Sequence, residues 1–246
     1  MFPYWPNYLT CLLELEQQGK ITRTFRRLDP DRQRLILDAI LIEAAEKGPA
    51  LLNIKAVAKR AGVAVGSLYQ YFPDRDGMLD FAIELCVRYM NEMFALSRPY
   101  LLAIPLAEAL SAYLSVGIEW GQLETGLVRF IGRAAYQGDP DLIERVVRPI
   151  ATVMREMIRD LLAQAAARGE IRSEVDMEAS ARLVNLLMIA FGDSQLLPYL
   201  NTYFQASGEA VPAERVGAAL VPFILQGIGF ASADFADEAD KPKTTG

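Results

Sequence analysis

The sequence predicts an all-helical protein in which a small head of three short helices is joined to a larger helical body. Two observations predict this fold class. Apolar residues recur at helical spacing in nearly every segment after residue 28, and no convincing run of alternating apolar and polar residues indicates a strand. Hydrophobic residues also make up 52% of the 246 residues, so a sizeable core is expected.

The three predicted helices of the head cover residues 31–47, 54–61 and 65–71. Asp29 can cap the first helix, and Pro30 suits its first turn. Asn53 can cap the second, and Gly62 suits the left-handed geometry that ends a helix. The third helix stops before Pro73, because the residue preceding a proline resists helical geometry.

The second and third helices form a predicted helix-turn-helix. Ala58 is the small residue needed where the two helices cross, and their shared core is expected at Val57, Val63 and Leu68. In such a unit the second short helix enters the DNA major groove. Gly66 would let the backbone approach DNA there, and tyrosine hydroxyls on the same helix could reach phosphates.

Longer helices are predicted for the body, at residues 75–97, 106–120, 123–137, 140–168, 176–197 and 212–231. Pro149 is expected to kink the fourth of them. The polar carboxyl terminus is predicted to be disordered. The predicted domains are an amino-terminal extension at 1–28, the head at 29–74, the body at 75–232 and the tail at 233–246.

The extension allows two interpretations. Four leucines between residues 9 and 15 predict a short helix, and Arg23, Arg26 and Arg27 follow close together. The extension could be an extra helix packed on the body, followed by a solvated basic linker. The arginines could instead form a basic arm that follows the DNA backbone or enters a minor groove.

Charge is distributed unevenly along the chain. The net charge is −6, yet residues 20–75 hold eleven Lys or Arg against six Asp or Glu, a balance of +5. The remainder therefore carries −11. This asymmetry indicates an anionic partner for one end of the protein.

Several function classes are disfavoured by composition. The chain has no histidine, the commonest general base and transition-metal ligand, so we predict no enzyme, no metal and no cofactor. Cys11 and Cys86 have no metal or redox spacing and are expected to be reduced core thiols. The apolar runs are too short or too interrupted to cross a bilayer, and the amino terminus lacks a signal peptide. A cytoplasmic protein without a membrane partner is predicted.

Residues 48–79, "GPALLNIKAVAKRAGVAVGSLYQYFPDRDGML", resemble the DNA-binding signature of the TetR family of bacterial transcriptional repressors. The "VAKRAGV" core, the "GSLYQYF" recognition helix and the "PDRDGML" start of the next helix match in order. The resemblance implies a TetR-like homodimer with a DNA-binding head and a ligand-binding, dimerising body. Its partners would be double-stranded palindromic operator DNA, a second copy of the chain and a small-molecule effector.

Matched positions imply DNA contacts at Lys55, Val65, Gly66, Ser67, Tyr69, Tyr71 and Arg75. Tyr71 and Arg75 would clamp the backbone, whereas Lys59 and Arg60 are expected on a solvated face. As an alternative, Tyr69 and Tyr71 could pack against the helix that follows. One position departs from the family, because Ala64 stands where serine or threonine is common and leaves the recognition helix without a side-chain cap.

The body is expected to dimerise through helices at about 176–200 and 212–232, which are apolar around much of their circumference. Alternatively, both helices are buried within one subunit. An effector pocket is predicted among the middle helices, lined by Met90, Phe94, Tyr113, Trp120, Phe130, Tyr136, Met154 and Met157. Such a pocket would suit a hydrophobic effector that releases the DNA. A regulator without small-molecule control, or a non-catalytic helical ligand carrier, remains an alternative.

Overall fold

A computed structural model describes residues 5–229 of the protein. The helices are α1 (Tyr8–Gln17), α2 (Arg23–Arg26), α3 (Pro30–Lys47), α4 (Ile54–Ala61), α5 (Val65–Tyr71), α6 (Arg75–Ala103), α7 (Leu106–Leu123), α8 (Thr125–Gln137), α9 (Pro140–Leu142), α10 (Arg148–Ala167), α11 (Met177–Leu196), α12 (Pro198–Phe204) and α13 (Ala213–Ile228). Over the described range, β structure is limited to one isolated bridge between Ile171 and Gly229. The predicted all-helical fold class is confirmed.

The chain divides into two compact units. The first contains residues 5–96 and 120–153, and the second contains residues 97–119 and 154–229. Helices α6, α7 and α10 each contribute residues to both units. The predicted functional division at residues 28, 74 and 232 stays a prediction, and the predicted tail lies outside the described residues.

The local signals of the head predicted its helix ends. The Asn53 side chain accepts hydrogen bonds from the backbone N–H groups of Lys55 (2.9 Å) and Ala56 (3.2 Å), which caps α4. Gly62 adopts the left-handed conformation (φ 64°, ψ 36°) that ends this helix. Ala64 lies at the N-cap position just before α5 and has no side chain that could cap the helix, as expected.

The core of the helix-turn-helix is largely the predicted one. Val57, Ala58 and Leu68 are buried, whereas Val63 is only half-buried. Helix α3 packs against α4 and also against α8. The guanidinium of Arg133 on α8 donates to a backbone carbonyl near the end of α3, at 2.9 Å from the oxygen of Ala45. Helix α8 is therefore held directly against the helix that supports α4.

Three details of the later helices differ from the sequence prediction. A π-helical turn, Ile143–Val147, interrupts the single helix expected from residue 140 to 168. Pro149 follows this turn and has no N–H to donate to the preceding turn, so a break fits its chemistry. Helix α6 continues through Pro99 instead of ending near residue 97, and α12 was not predicted.

The extension contains two helices rather than one. Leu12 and Leu15 of α1 are buried, whereas Leu9 and Leu13 face outward. The arginine-rich segment forms α2 and buries Phe25 completely. Both cysteines are buried free thiols. Between residues 5 and 229, no helix combines the length and apolar character that a membrane span requires.

Candidate nucleic-acid interface

The outward face of α5 is open. Gly66, Tyr69 and Gln70 are exposed, and Tyr69 exposes 57% of its surface. Val65 and Ser67 are half-buried at the start of the helix. A methyl group added at Gly66 would meet no protein atom within 4 Å. The glycine is therefore not required by packing within the described part of the chain.

Arg75 is held in a defined orientation beside the turn that precedes α4. One guanidinium nitrogen donates to the carbonyl of Ala50 at 2.8 Å, and two others donate to one oxygen of Asp76 at 3.0 and 2.9 Å. Ala50 belongs to the 3₁₀ turn Pro49–Leu51. These bonds restrict the arginine before any partner binds, and Asp76 offsets part of its charge. Lys55, near the start of α4, is exposed.

Tyr71 lies mainly in the core. Only 9% of its surface is exposed, and its ring packs edge-on against Phe25 at 6.0 Å and Phe72 at 6.5 Å between centroids. Truncating such a ring to alanine costs about 3–5 kcal/mol of stability. A phosphate contact by Tyr71 remains a prediction. It is tested with Tyr71→Phe, which removes the hydroxyl but keeps the buried ring.

The basic residues at the end of α4 behave as expected for a solvated face. Arg60 pairs with Glu46 at 2.9 Å and with the nearly buried Glu43 at 3.7 Å. Lys59 is exposed beside it. Arg60 therefore ties α4 to α3, and its charge is compensated within the protein.

Two residues near α5 were missed by the sequence prediction. Gln70 is exposed four residues after Gly66, on the same side of the helix, and its amide could bind a base edge. Thr22 binds the end of α5, because its backbone N–H donates to the Tyr71 carbonyl at 2.9 Å and its hydroxyl to the Gln70 carbonyl at 2.6 Å. Helical spacing could have identified Gln70, whereas no local signal links Thr22 to a helix some fifty residues away.

The residues predicted to line an effector pocket fall in both units. Those of the first unit are Met90, Phe94, Trp120, Phe130 and Tyr136. Those of the second unit are Tyr113, Met154 and Met157. Phe130 and Met157 are buried, and Tyr136 is exposed. Trp120 donates its indole N–H to the hydroxyl of Tyr89 at 2.9 Å. A single pocket lined by all eight residues stays a prediction.

Buried polar groups accompany these aromatic residues in the first unit. Burial raises the pKa of Tyr89, and the hydrogen bond from Trp120 only partly opposes this shift. Glu124 is nearly buried and pairs with Arg34 of α3 at 3.9 Å. Burial raises the pKa of the neighbouring Asp38 as well, partly opposed by Arg34. These groups add polar contacts between α3 and the start of α8.

Two short helices joined by a glycine turn, the second with an exposed outer face, have the arrangement of a helix-turn-helix motif. The family model described as "Bacterial regulatory proteins, tetR family" matches residues 36–81, the segment that contains this motif. These residues carry the DNA-binding signature of the TetR family of bacterial transcriptional regulators.

The more similar sequence relatives match only part of the chain. Over 53 residues, or 22% of this chain, the sequence is 45% identical to the HTH-type transcriptional repressor KstR of Mycolicibacterium smegmatis. The match covers 26% of that protein, so the chain spans about a quarter of the length of this curated relative.

Solved structures share the fold over most of the chain. A TetR transcriptional regulator from Chloroflexus aurantiacus superposes with a TM-score of 0.60 at 24% identity, covering 85% of this chain and 100% of that one. FadR from Bacillus subtilis, solved in complex with stearoyl-CoA, superposes with a TM-score of 0.56 at 18% identity, covering 79% and 98%. At these identities the likeness concerns the fold.

Proposed function

We propose that this regulator is a repressor that binds palindromic operator DNA as a homodimer and leaves it when a small hydrophobic effector binds. The observation that carries the proposal is the open outer face of α5, where Gly66 and Tyr69 project without a protein partner to cover them in the described chain. We assign DNA binding to the head at residues 29–74 together with Arg75, and effector binding and dimerisation to the body at residues 75–232. Since operator DNA is the partner, we place the protein in the cytoplasm.

The proposed DNA-reading surface of α5 combines a position without a side chain with side chains that carry hydroxyl groups. Gly66 permits close approach to a groove wall, and Ser67 offers a hydroxyl to a base or phosphate. Tyr69 can place its ring against a thymine methyl and its hydroxyl on a phosphate. Lys55 and Arg75 add positive charge near the start of α4, so the DNA backbone can be held while α5 contacts the bases.

A homodimer is supported by an exposed apolar surface in the second unit. Leu183 and Leu186 of α11 are 60% and 62% exposed, and Phe223 of α13 is 64% exposed. The opposite sides of both helices are buried, at Val184 and Ile224 among others. An apolar face of this kind marks an interaction site. We assign it to a second copy of the chain, because one recognition helix alone contacts few base pairs.

Effector control follows from linkage between two arrangements of the dimer. An effector that binds better to one arrangement shifts the population toward it. Release requires that the favoured arrangement no longer presents two α5 helices about 34–36 Å apart, the separation of successive major grooves. We propose α6 as the connecting lever, because this one helix runs from Arg75 to Ala103 and follows the head directly.

The rival proposals differ in the ligand. A helix-turn-helix regulator without small-molecule control would bind operator but show no effector response. A non-catalytic ligand carrier would bind a hydrophobic compound but no specific DNA. Acyl-CoA thioesters are the first compounds to test, since FadR of similar fold binds stearoyl-CoA.

The proposal is tested by selecting duplexes from random-sequence DNA with the full-length protein, then measuring binding with and without stearoyl-CoA or other hydrophobic compounds. We expect a palindromic consensus and a Tyr69→Ala variant that loses affinity for it. Because Tyr69 is exposed, this substitution should change stability by no more than about 0.5 kcal/mol. Selection without any consensus would refute operator binding, and a consensus bound equally with every compound would favour the regulator without effector control.

A further inference from the structure

The extension is fastened to the carboxyl end of the recognition helix. The last carbonyls of a helix have no partner within that helix. Thr22 supplies donors for two of them, with its hydroxyl 2.6 Å from the Gln70 oxygen and its backbone nitrogen 2.9 Å from the Tyr71 oxygen. The first residue of α2, Arg23, therefore stands immediately beside the end of α5.

The underside of α2 is fixed in the core. Phe25 is fully buried, with its ring centroid 5.1 Å from that of Phe72 and 5.0 Å from that of Phe81. Gln33 of α3 is buried beneath the helix and donates to the carbonyls of Phe25 and Arg26 at 3.0 and 3.1 Å. With this side held inside, the orientation of α2 is set.

The extension is also anchored to α6 by ion pairs. Arg88 of α6 pairs with Glu14 of α1 and, at 2.7 Å, with Glu84. Lys20 pairs with the same Glu84 at 2.5 Å. These contacts make the extension a supported part of the first unit, so a basic surface on it would be presented in a defined place.

Not all basic residues of the extension are compensated. Arg26 pairs with Glu16, and Lys20 with Glu84. Arg23 and Arg27 are both exposed, and neither forms an ion pair or hydrogen bond with its side chain among residues 5–229. They are four residues apart and therefore lie on the same side of the chain. The segment that Thr22 attaches to the end of the recognition helix thus carries two open guanidinium groups.

From this placement we infer that Arg23 and Arg27 form a second DNA-binding surface, which holds the phosphate backbone beside each half-site. This surface rests on the proposed binding of operator DNA by α5. Arginine presents a planar fork of donors that matches phosphate oxygens, and its charge is permanent. Thr22 is the positioning residue, since its two hydrogen bonds tie the surface to α5.

The test compares the wild-type chain with an Arg23→Gln, Arg27→Gln double variant on the tightest duplex obtained by random-sequence selection. Affinity is measured from low to moderate salt, because each neutralised phosphate adds about 0.9 to the slope of log affinity against log salt. We expect the slope to fall by about 0.9 for each phosphate that the variant no longer neutralises, and by up to about 3.6 for the four arginines of a dimer. Affinity for unrelated DNA should fall as well.

Two further variants serve as controls. Arg23→Lys with Arg27→Lys keeps the charge and should retain most of the slope. Arg129→Gln with Arg155→Gln removes two exposed arginines of α8 and α10 and should leave the slope nearly unchanged. Melting temperatures should agree among all the variants, because the substituted side chains are exposed.

The outcomes separate this inference from the proposed function. A selected operator bound by the Gln variant with wild-type affinity and slope would overturn the inference alone. Failure of the wild-type chain to select any operator would overturn the proposed function. A loss of affinity confined to operators with A·T-rich flanks would replace the phosphate assignment with minor-groove binding, and would overturn it.

Discussion

Replacing Gly66 with alanine adds a single methyl group to the outer face of α5. The added carbon would meet no protein atom within 4 Å, so the folded protein can accept it without rearrangement. Gly66 also lies within a helix, where alanine is more favourable than glycine by up to about 1 kcal/mol. We therefore expect Gly66→Ala to leave the protein as stable as the wild type or slightly more stable.

The same methyl group should weaken operator binding. If the backbone at Gly66 lies against a groove wall, the carbon occupies space that DNA atoms fill in the complex. Overpacking a close interface costs about 1–3 kcal/mol, which corresponds to a loss of roughly five- to 150-fold in affinity for each recognition helix. Stability and affinity are thus predicted to change in opposite directions, which few surface substitutions do.

The assay pairs thermal unfolding with fluorescence anisotropy on a selected operator. Gly117→Ala is the matched control, because Gly117 of α7 is also helical, exposed and free of protein atoms within 4 Å of an added methyl. The control should gain similar stability and bind the operator like the wild type. Wild-type affinity in Gly66→Ala, with the operator confirmed, would show that α5 does not approach DNA through this residue.

Three other predictions concern assembly, the extension and the thiols. Leu186→Glu places a charge in the exposed apolar face of α11 and should convert a dimer to monomers in analytical ultracentrifugation; an unchanged mass would exclude this face. Partial burial raises the pKa of Glu84, but hydrogen bonds from Lys20 and Arg88 outweigh it and keep the pKa below its usual value. The stability from these bonds is therefore present above a pH of about 4.3 and is lost as the pH falls through the lowered pKa. The protection of the α1 amides, measured relative to the intrinsic exchange rate at each pH, should therefore fall there in the wild type but not in Glu84→Gln. Burial raises the pKa of both cysteine thiols, to about 11 for Cys11, so a thiol reagent at pH 8 should modify neither until the protein unfolds.

The head was predictable because its signals are local. Asn53, Gly62 and Ala64 mark helix ends through their own side chains or the lack of one, and the structure places each as expected. Alternation of buried and exposed residues within α4 and α5 is likewise a property of adjacent sequence. The family signature covers the same positions, so the helix-end signals and the family resemblance predicted the same helices.

The extension and the ring of Tyr71 were not predictable in the same way. The ring of Phe25 in the extension packs against Phe72 and Phe81, which are distant in sequence. It also contacts the ring of Tyr71, which is buried beside this cluster. Sequence spacing cannot indicate which segment satisfies the end of α5, so the role of Thr22 emerged only from the structure. The end of α6 was predicted too early because the helix continues through Pro99, and no local signal indicates that continuation.

The most direct test of the account is hydroxyl-radical footprinting of the full-length protein on its selected operator. Binding through α5 predicts two protected patches related by two-fold symmetry, with centres about 34–36 Å apart or a multiple of that distance. Tyr69→Ala should lose both patches at the same protein concentration. Uniform protection without symmetric patches, or patches unchanged in Tyr69→Ala, would contradict a regulator that recognises DNA with this helix.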